Sequence, residues 1–281
     1  MMRRSRLVRP RSHALSIVLA LFASVMIAAV SCRSAKSETD SAAVRGWKAH
    51  ARQSSGDSIR VPIFVYHSIA HHHDGQTGEQ RELDVDTATF RSQMDEIARE
   101  EHPVISLEAL VDALRGKGSV PAGAVVLTFD DGWLDQYEDA FPILQRHHFT
   151  ATFFVYTTAI GNGSAFMTWD QLREMQHGGM TIGAHSRTHP DLTDAKVSLV
   201  EEIDGSRADI ARNVGVTPDL FAYPYGARDA RVAAAVKAAG FRAARALADG
   251  PVNTSGTRFE LRSILATDDM RAFEGALQGG R

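Results

Sequence analysis

The chain has 281 residues, 44% of them hydrophobic, with 31 Lys and Arg against 34 Asp and Glu and a net charge of −3. That length suits one barrel-sized domain or two small ones, and one is the simpler reading. Five of the basic residues are arginines before residue 12, so the rest of the chain carries −8, which argues against nucleic acid as a partner.

In chain order, Arg3, Arg4, Arg6, Arg9 and Arg11 precede an apolar run from Ala14 to Val30 that ends in small residues, the layout of a secretory signal over residues 1–31. A transmembrane anchor is the alternative, for which the run is near the lower length limit. The only cysteine, Cys32, follows Ala29-Val30-Ser31, where a lipoprotein signal places the residue that becomes lipidated, although Leu is usual where Ala29 stands. A lone cysteine makes no internal disulfide, which fits a different use in an exported protein. The expectation is a protein of the bacterial cell envelope, held to a membrane through Cys32, in the periplasm or at the surface. Residues 32–60, rich in Ser, Ala, Lys, Asp and Gly, read as a flexible tether, and residues 61–281 as the domain.

From Val61 onward short β-branched or aromatic runs alternate with amphipathic stretches. Pro62 to Tyr66, Ala124 to Phe129, Thr150 to Val155, Met180 to Ala184, Leu220 to Tyr223 and Phe241 to Ala244 read as strands. Helices are expected where Phe90, Met94 and Ile97 share a face, where Leu134, Tyr137, Phe141 and Leu144 do, after the Thr168-Trp169-Asp170-Gln171 capping box, and over Val197 to Asn213 and Ala230 to Ala239. Strand-helix alternation predicts an α/β fold with parallel strands and helices outside, either a barrel or an open sheet.

Three strings at strand ends carry candidate chemistry. Thr128-Phe129-Asp130-Asp131-Gly132 puts two carboxylates on the face where such folds bear active sites, although Asp-Asp-Gly alone also marks a turn with a helix cap. His185-Ser186-Arg187-Thr188-His189-Pro190 spaces two histidines four apart, and two imidazoles with a carboxylate form a divalent-metal set that leaves a position open for water. Phe221-Ala222-Tyr223-Pro224-Tyr225-Gly226 combines a fixed proline with a permissive glycine. Trp169, Tyr223 and Tyr225 are candidates for stacking on sugar rings, and aromatic residues beside a strand also commonly belong to the core rim. His71-His72-His73-Asp74 reads as a polar loop rather than a metal site, and His147-His148 as helix-end capping or packing.

Taken together with Val65-Tyr66-His67-Ser68-Ile69 and Ala151-Thr152-Phe153-Phe154-Val155, these strings resemble the polysaccharide deacetylases of the NodB homology type, carbohydrate esterase family 4, from about Val61 to Leu265. The resemblance implies a distorted (β/α) barrel of fewer than eight strands, a metal held by Asp131, His185 and His189, Asp130 as general base, and the Tyr225 N–H at the oxyanion. Zinc is the default ion, with cobalt or nickel also suited to two nitrogens and a carboxylate. Two departures stand out. Many members carry an Arg before the aromatic-Pro string to pair with the base, where this chain has Ala222, and they take the acid from a C-terminal Leu-x-His motif, whereas no histidine follows His189. The poly-N-acetylglucosamine deacetylase branch of the PgaB and IcaB type is similar in the first respect, and its circularly permuted barrel takes the acid from an N-terminal Tyr-His string, which here is His67. That branch tends to space its two metal histidines more widely. The implied partner is an exported N-acetylated polysaccharide. Peptidoglycan or chitooligosaccharide deacetylation, an acetylxylan esterase and a non-catalytic glycan-binding lipoprotein are the competing readings.

Overall fold

A computed structural model describes residues 52–53, 58–71 and 83–279. The expected signal segment, Cys32, most of the expected tether and His72, His73 and Asp74 lie outside the described residues. No helix among the described residues is long and apolar enough to cross a membrane.

Seven strands form one curled, wholly parallel sheet: β1 (Ile63–Tyr66), β2 (Val126–Phe129), β3 (Thr152–Val155), β4 (Thr181–Ala184), β5 (Leu220–Ala222), β6 (Ala243–Arg245) and β7 (Ile264–Leu265). Their order is β7-β1-β2-β3-β4-β5-β6, so the chain steps across the sheet in sequence and the last strand returns beside the first. This is the expected distorted barrel with fewer than eight strands. At the β6 edge, Arg245 forms a parallel bridge with Leu261, three residues before β7 begins. Helices α1 (Thr87–Arg99), α2 (Leu107–Leu114), α3 (Phe141–His147), α4 (Trp169–His177), α5 (Gly205–Val214), α6 (Ala230–Ala238) and α7 (Met270–Gln278) complete the alternation. The Thr168–Gln171 capping box is formed in both directions at the start of α4.

Side chains alternate along each strand, so the sheet buries both faces. Phe64, Tyr66, Leu127, Phe129, Phe153, Val155, Ile182 and Phe221 belong to one apolar cluster, while Ile63, Val126, Phe154, Leu220, Ala222 and Ala243 join α2 in another. A near-continuous apolar run is what a doubly covered parallel strand requires. Gly183 shows how tight the second face is, because a Cβ built there meets two ring carbons of Phe154 at 2.5 Å. Gly183→Ala is therefore expected to cost about 1–3 kcal/mol by overpacking, read as a lowered midpoint in urea.

Three local features differ from the sequence expectation. Strand pairing begins before Val61, since Ser58–Arg60 runs antiparallel to Val252–Thr254 with Ile59 fully buried. The helix expected around Leu134 to Leu144 is a π-turn, Gln136–Ala140, followed by α3. Pro142 has no N–H to give the Glu138 carbonyl, and the Phe141 N–H reaches back five residues to Gln136. The helix expected over Val197 to Asn213 likewise opens with a π-turn, Val200–Asp204, closed by the Gly205 N–H on the Val200 carbonyl. Both π-turns point a polar residue inward.

Candidate active site

The C-terminal ends of β1, β2, β4 and β5 bring His67, Asp130, Asp131, His185, His189 and Tyr225 to one end of the sheet. Parallel pairing fixes the first two neighbours: Tyr66 lies level with Phe129, and the Asp130 N–H donates to the Tyr66 carbonyl at 2.9 Å. The His185 N–H, one strand position beyond β4, donates to Val155 of β3 at 3.0 Å.

Three donor atoms converge. His185 Nε2 and His189 Nε2 are 3.2 Å apart, and Asp131 Oδ1 lies 3.6 Å from the first and 3.4 Å from the second. Two of the three are held by their other side-chain atoms. The His185 Nδ1–H donates to the Ala222 carbonyl at 2.8 Å, which leaves the Nε2 lone pair facing inward. The Trp133 indole N–H donates to Asp131 Oδ2 at 3.0 Å and leaves Oδ1 buried with no hydrogen-bond partner among the described residues. Burial and the adjacent His185 push His189 down to about 4, so its ring is neutral at neutral pH. Four-coordinate zinc with nitrogen and oxygen ligands at 2.0–2.1 Å separates neighbouring ligands by about 3.3 Å, and this triangle of two imidazole nitrogens and one orphaned carboxylate oxygen fits such an ion.

Asp130 is 2% exposed and points elsewhere, into an ion pair with Arg245, with His67 Nε2 at 3.8 Å from the same oxygen. Burial alone would raise its carboxyl, but the charges of Arg245, His185 and His67 and the Arg245 hydrogen bond outweigh it, and the group is held below the ordinary carboxylate range. Sequence reasoning missed Arg245. Its guanidinium is fully buried, over the Phe154 ring, and its strand register is the explanation, since Arg245 of β6 lies directly beside Ala222 of β5. The cation missing at position 222 comes from the neighbouring strand at the same level. The available signal was weak, a second arginine closing the strand Phe241 to Ala244, which already contains Arg242.

The turns that carry the site are conformationally costly. Asp131, Ser186, His189 and Tyr225 all have positive φ without being glycine, at 77°, 68°, 60° and 58°. Such residues persist only where their surroundings over-determine them.

Of the three aromatic residues expected to stack on sugar rings, Tyr223 is corrected by the structure. It is 1% exposed, its hydroxyl donates to the Phe259 carbonyl at 2.9 Å, and its ring packs on Phe221 two residues earlier on the same face, so it belongs to the core. Trp169 is half-buried and packs on the core beside Gly161. The aromatic groups at the site are the third candidate, Tyr225, and two that the sequence did not single out, Tyr156 and Trp133. Tyr225 is exposed and lies edge-on to His189 at 4.7 Å, Tyr156 is 5.2 Å from the same ring, and Trp133 stacks on Phe166 at 4.5 Å. His71 sits on the surface near Asp86, and His147 pairs with Asp95 and stacks on Phe149.

A sequence model described as polysaccharide deacetylase matches residues 117–244. The Bacillus subtilis (strain 168) protein YxkH is 28% identical over 133 residues, 47% of this chain and 44% of that protein, so the chain spans less than half of that relative's length. The poly-β-1,6-N-acetyl-D-glucosamine N-deacetylase of Staphylococcus aureus (strain MRSA252) is 23% identical over 210 residues, 70% of this chain and 71% of that protein. Among solved structures, the Streptococcus pyogenes deacetylase PplD in complex with acetate superposes with a TM-score of 0.72 at 25% identity, covering 79% of this chain and 99% of that one.

Proposed function

We propose, from the premise that this chain belongs to the polysaccharide deacetylase family, that it is a metal-dependent hydrolase removing N-acetyl groups from an exported polysaccharide of the poly-N-acetylglucosamine kind. The observation that carries the reading is the separation of two adjacent carboxylates. Asp131 offers an orphaned oxygen to two imidazole nitrogens, while Asp130 turns away to a buried guanidinium and stays ionised.

Asp131, His185 and His189 would hold the ion, with zinc the first choice and cobalt or nickel alternatives. A divalent ion bound there would supply Lewis acidity, polarising an amide carbonyl and acidifying a water. Asp130, ionised and aimed by Arg245, is the base that accepts the water proton. The Tyr225 backbone N–H, presented by a left-handed turn, is the donor assigned to the developing oxyanion. His67, at 3.8 Å from Asp130, is the acid that protonates the departing amine, a role supported by the lack of a histidine between His189 and Leu265, where the Leu-x-His motif would stand. Its place on the first strand of the sheet supports the permuted arrangement.

Tyr225, exposed beside His189, and the neighbouring Tyr156 and Trp133 suit contact with sugar rings better than Tyr223 does. Export, anchoring through Cys32 and a location in the periplasm or at the surface belong to this proposal on the strength of the N-terminal sequence alone. The test is acetate release by the purified protein from poly-β-1,6-N-acetylglucosamine, peptidoglycan, chitooligosaccharides and acetylxylan, with and without chelator. Chelator-sensitive release that is greatest on the first polymer is the expected result. Greatest release from another polymer would reassign the substrate, and release unaffected by complete metal removal would overturn the metal role.

A further inference from the structure

Both π-turns deliver a buried polar side chain to backbone that the site depends on. Glu202, in the turn Val200–Asp204, is 8% exposed and accepts three hydrogen bonds from the two residues midway between the histidines. Its Oε2 accepts from the Arg187 N–H at 2.9 Å and the Thr188 N–H at 2.8 Å, and its Oε1 from the Thr188 hydroxyl at 2.7 Å. Gln136, in the turn Gln136–Ala140, is fully buried, and its side-chain amide donates to the His67 carbonyl at 2.8 Å and to the Asp130 carbonyl at 2.5 Å. Neither side chain touches the converging donor atoms.

The segment between the histidines needs such support. Ser186 and His189 hold positive φ at 68° and 60°, and without a restraint on Arg187 and Thr188 both would relax toward ordinary backbone. Relaxation of either would turn a histidine away, because the two Nε2 atoms meet at 3.2 Å only through this turn. The Ser186 hydroxyl accepts from the His189 N–H at 2.9 Å but acts within the turn, whereas Glu202 ties the turn to the helical layer. An α-helix spaces residues at 100° each, and one π-turn resets that phase, which lets Glu202 face the turn while Ile203 and Ile210 stay in the core.

We infer that the two π-turns divide the positioning of the site: Glu202 positions the His185–His189 pair, and Gln136 positions His67 relative to Asp130. The inference rests on the proposed metal site, and its test reads zinc binding apart from turnover. Zinc affinity is measured by chelator competition on the full chain and on Glu202→Met, Glu202→Gln and Gln136→Met. Removal of groups that orient metal ligands costs about 10–100-fold in affinity, and this is the loss expected for Glu202→Met. Glu202→Gln is expected to restore most of it, because an amide oxygen still faces the two N–H groups and its NH2 can donate to the Thr188 hydroxyl. Gln136→Met is expected to bind zinc as the parent does, and when saturated with zinc to show a kcat reduced by roughly tenfold or more with little change in KM.

Parent-like zinc affinity in folded Glu202→Met overturns the inference, and so does an equal loss of affinity in Gln136→Met, since that pattern means general support of the fold. Should Glu202→Met not fold, Thr188→Val decides. It removes one of the three bonds and is expected to weaken zinc by roughly 3- to 10-fold, with unchanged affinity counting against the role. A parent protein that binds no zinc overturns the metal reading itself together with this inference.

Discussion

On the proposed mechanism, Asp130→Asn is expected to lose about 10²–10⁴-fold in turnover while still binding zinc, and His185→Ala to lose both. The contrast follows from the different directions of the two carboxylates. Asp131 Oδ1 sits within 3.6 Å of both histidine nitrogens, whereas Asp130 faces Arg245 and His67. An Asn at position 130 keeps the shape and removes the group able to accept a proton. Removing the His185 ring takes away one corner of the donor triangle and the bond to the Ala222 carbonyl. Acetate release and zinc content on the same purified samples check both. Full activity in Asp130→Asn would remove the base from the mechanism.

The second large effect is expected at Arg245. Breaking a buried pair from one side leaves an uncompensated charge and costs about 3–5 kcal/mol, which Arg245→Met should show in urea unfolding at neutral pH. The pH dependence should also change sign. In the parent, Asp130 is held below its unfolded value, so it contributes stability above the unfolded carboxylate range that is lost as pH falls through the folded value. Without the guanidinium, burial dominates and raises the carboxyl above its unfolded value. Asp130 then costs more stability as pH rises, and the gap between parent and variant should widen from pH 4 to pH 8. A gap that is constant across this range would mean that Arg245 supports the fold by packing on Phe154 rather than by charge.

What could be seen in the sequence was what sits on consecutive residues at strand ends. The apolar runs found six of the seven strands, and the Asp-Asp and His-x-x-x-His strings marked residues that the fold does bring together. The seventh, Ile264–Leu265, is only two residues long and carries no period to detect. The unseen parts depend on pairing between distant segments. Arg245 meets Asp130 because β6 lies beside β5 in a particular register, and Glu202 reaches Thr188 because a helix opens with a wider turn. Tyr223 misleads for the opposite reason, since strand alternation carries it onto the face of Phe221 and into the core.

The level pairing of Ala222 with Arg245 bears on how dormant members of such a family are recognised. Compared position by position, residue 222 looks like an inactivating loss, because the resemblance leads one to expect an arginine there and the chain has Ala222. In space the charge has only crossed to the adjacent strand and still reaches the same carboxylate. Whether a relative is a pseudoenzyme is therefore decided by the electrostatic neighbourhood of its base and not by one residue in a sequence comparison. Exchanging the two residues, Ala222→Arg with Arg245→Ala, would ask whether the barrel treats neighbouring strands as interchangeable mounts for one guanidinium.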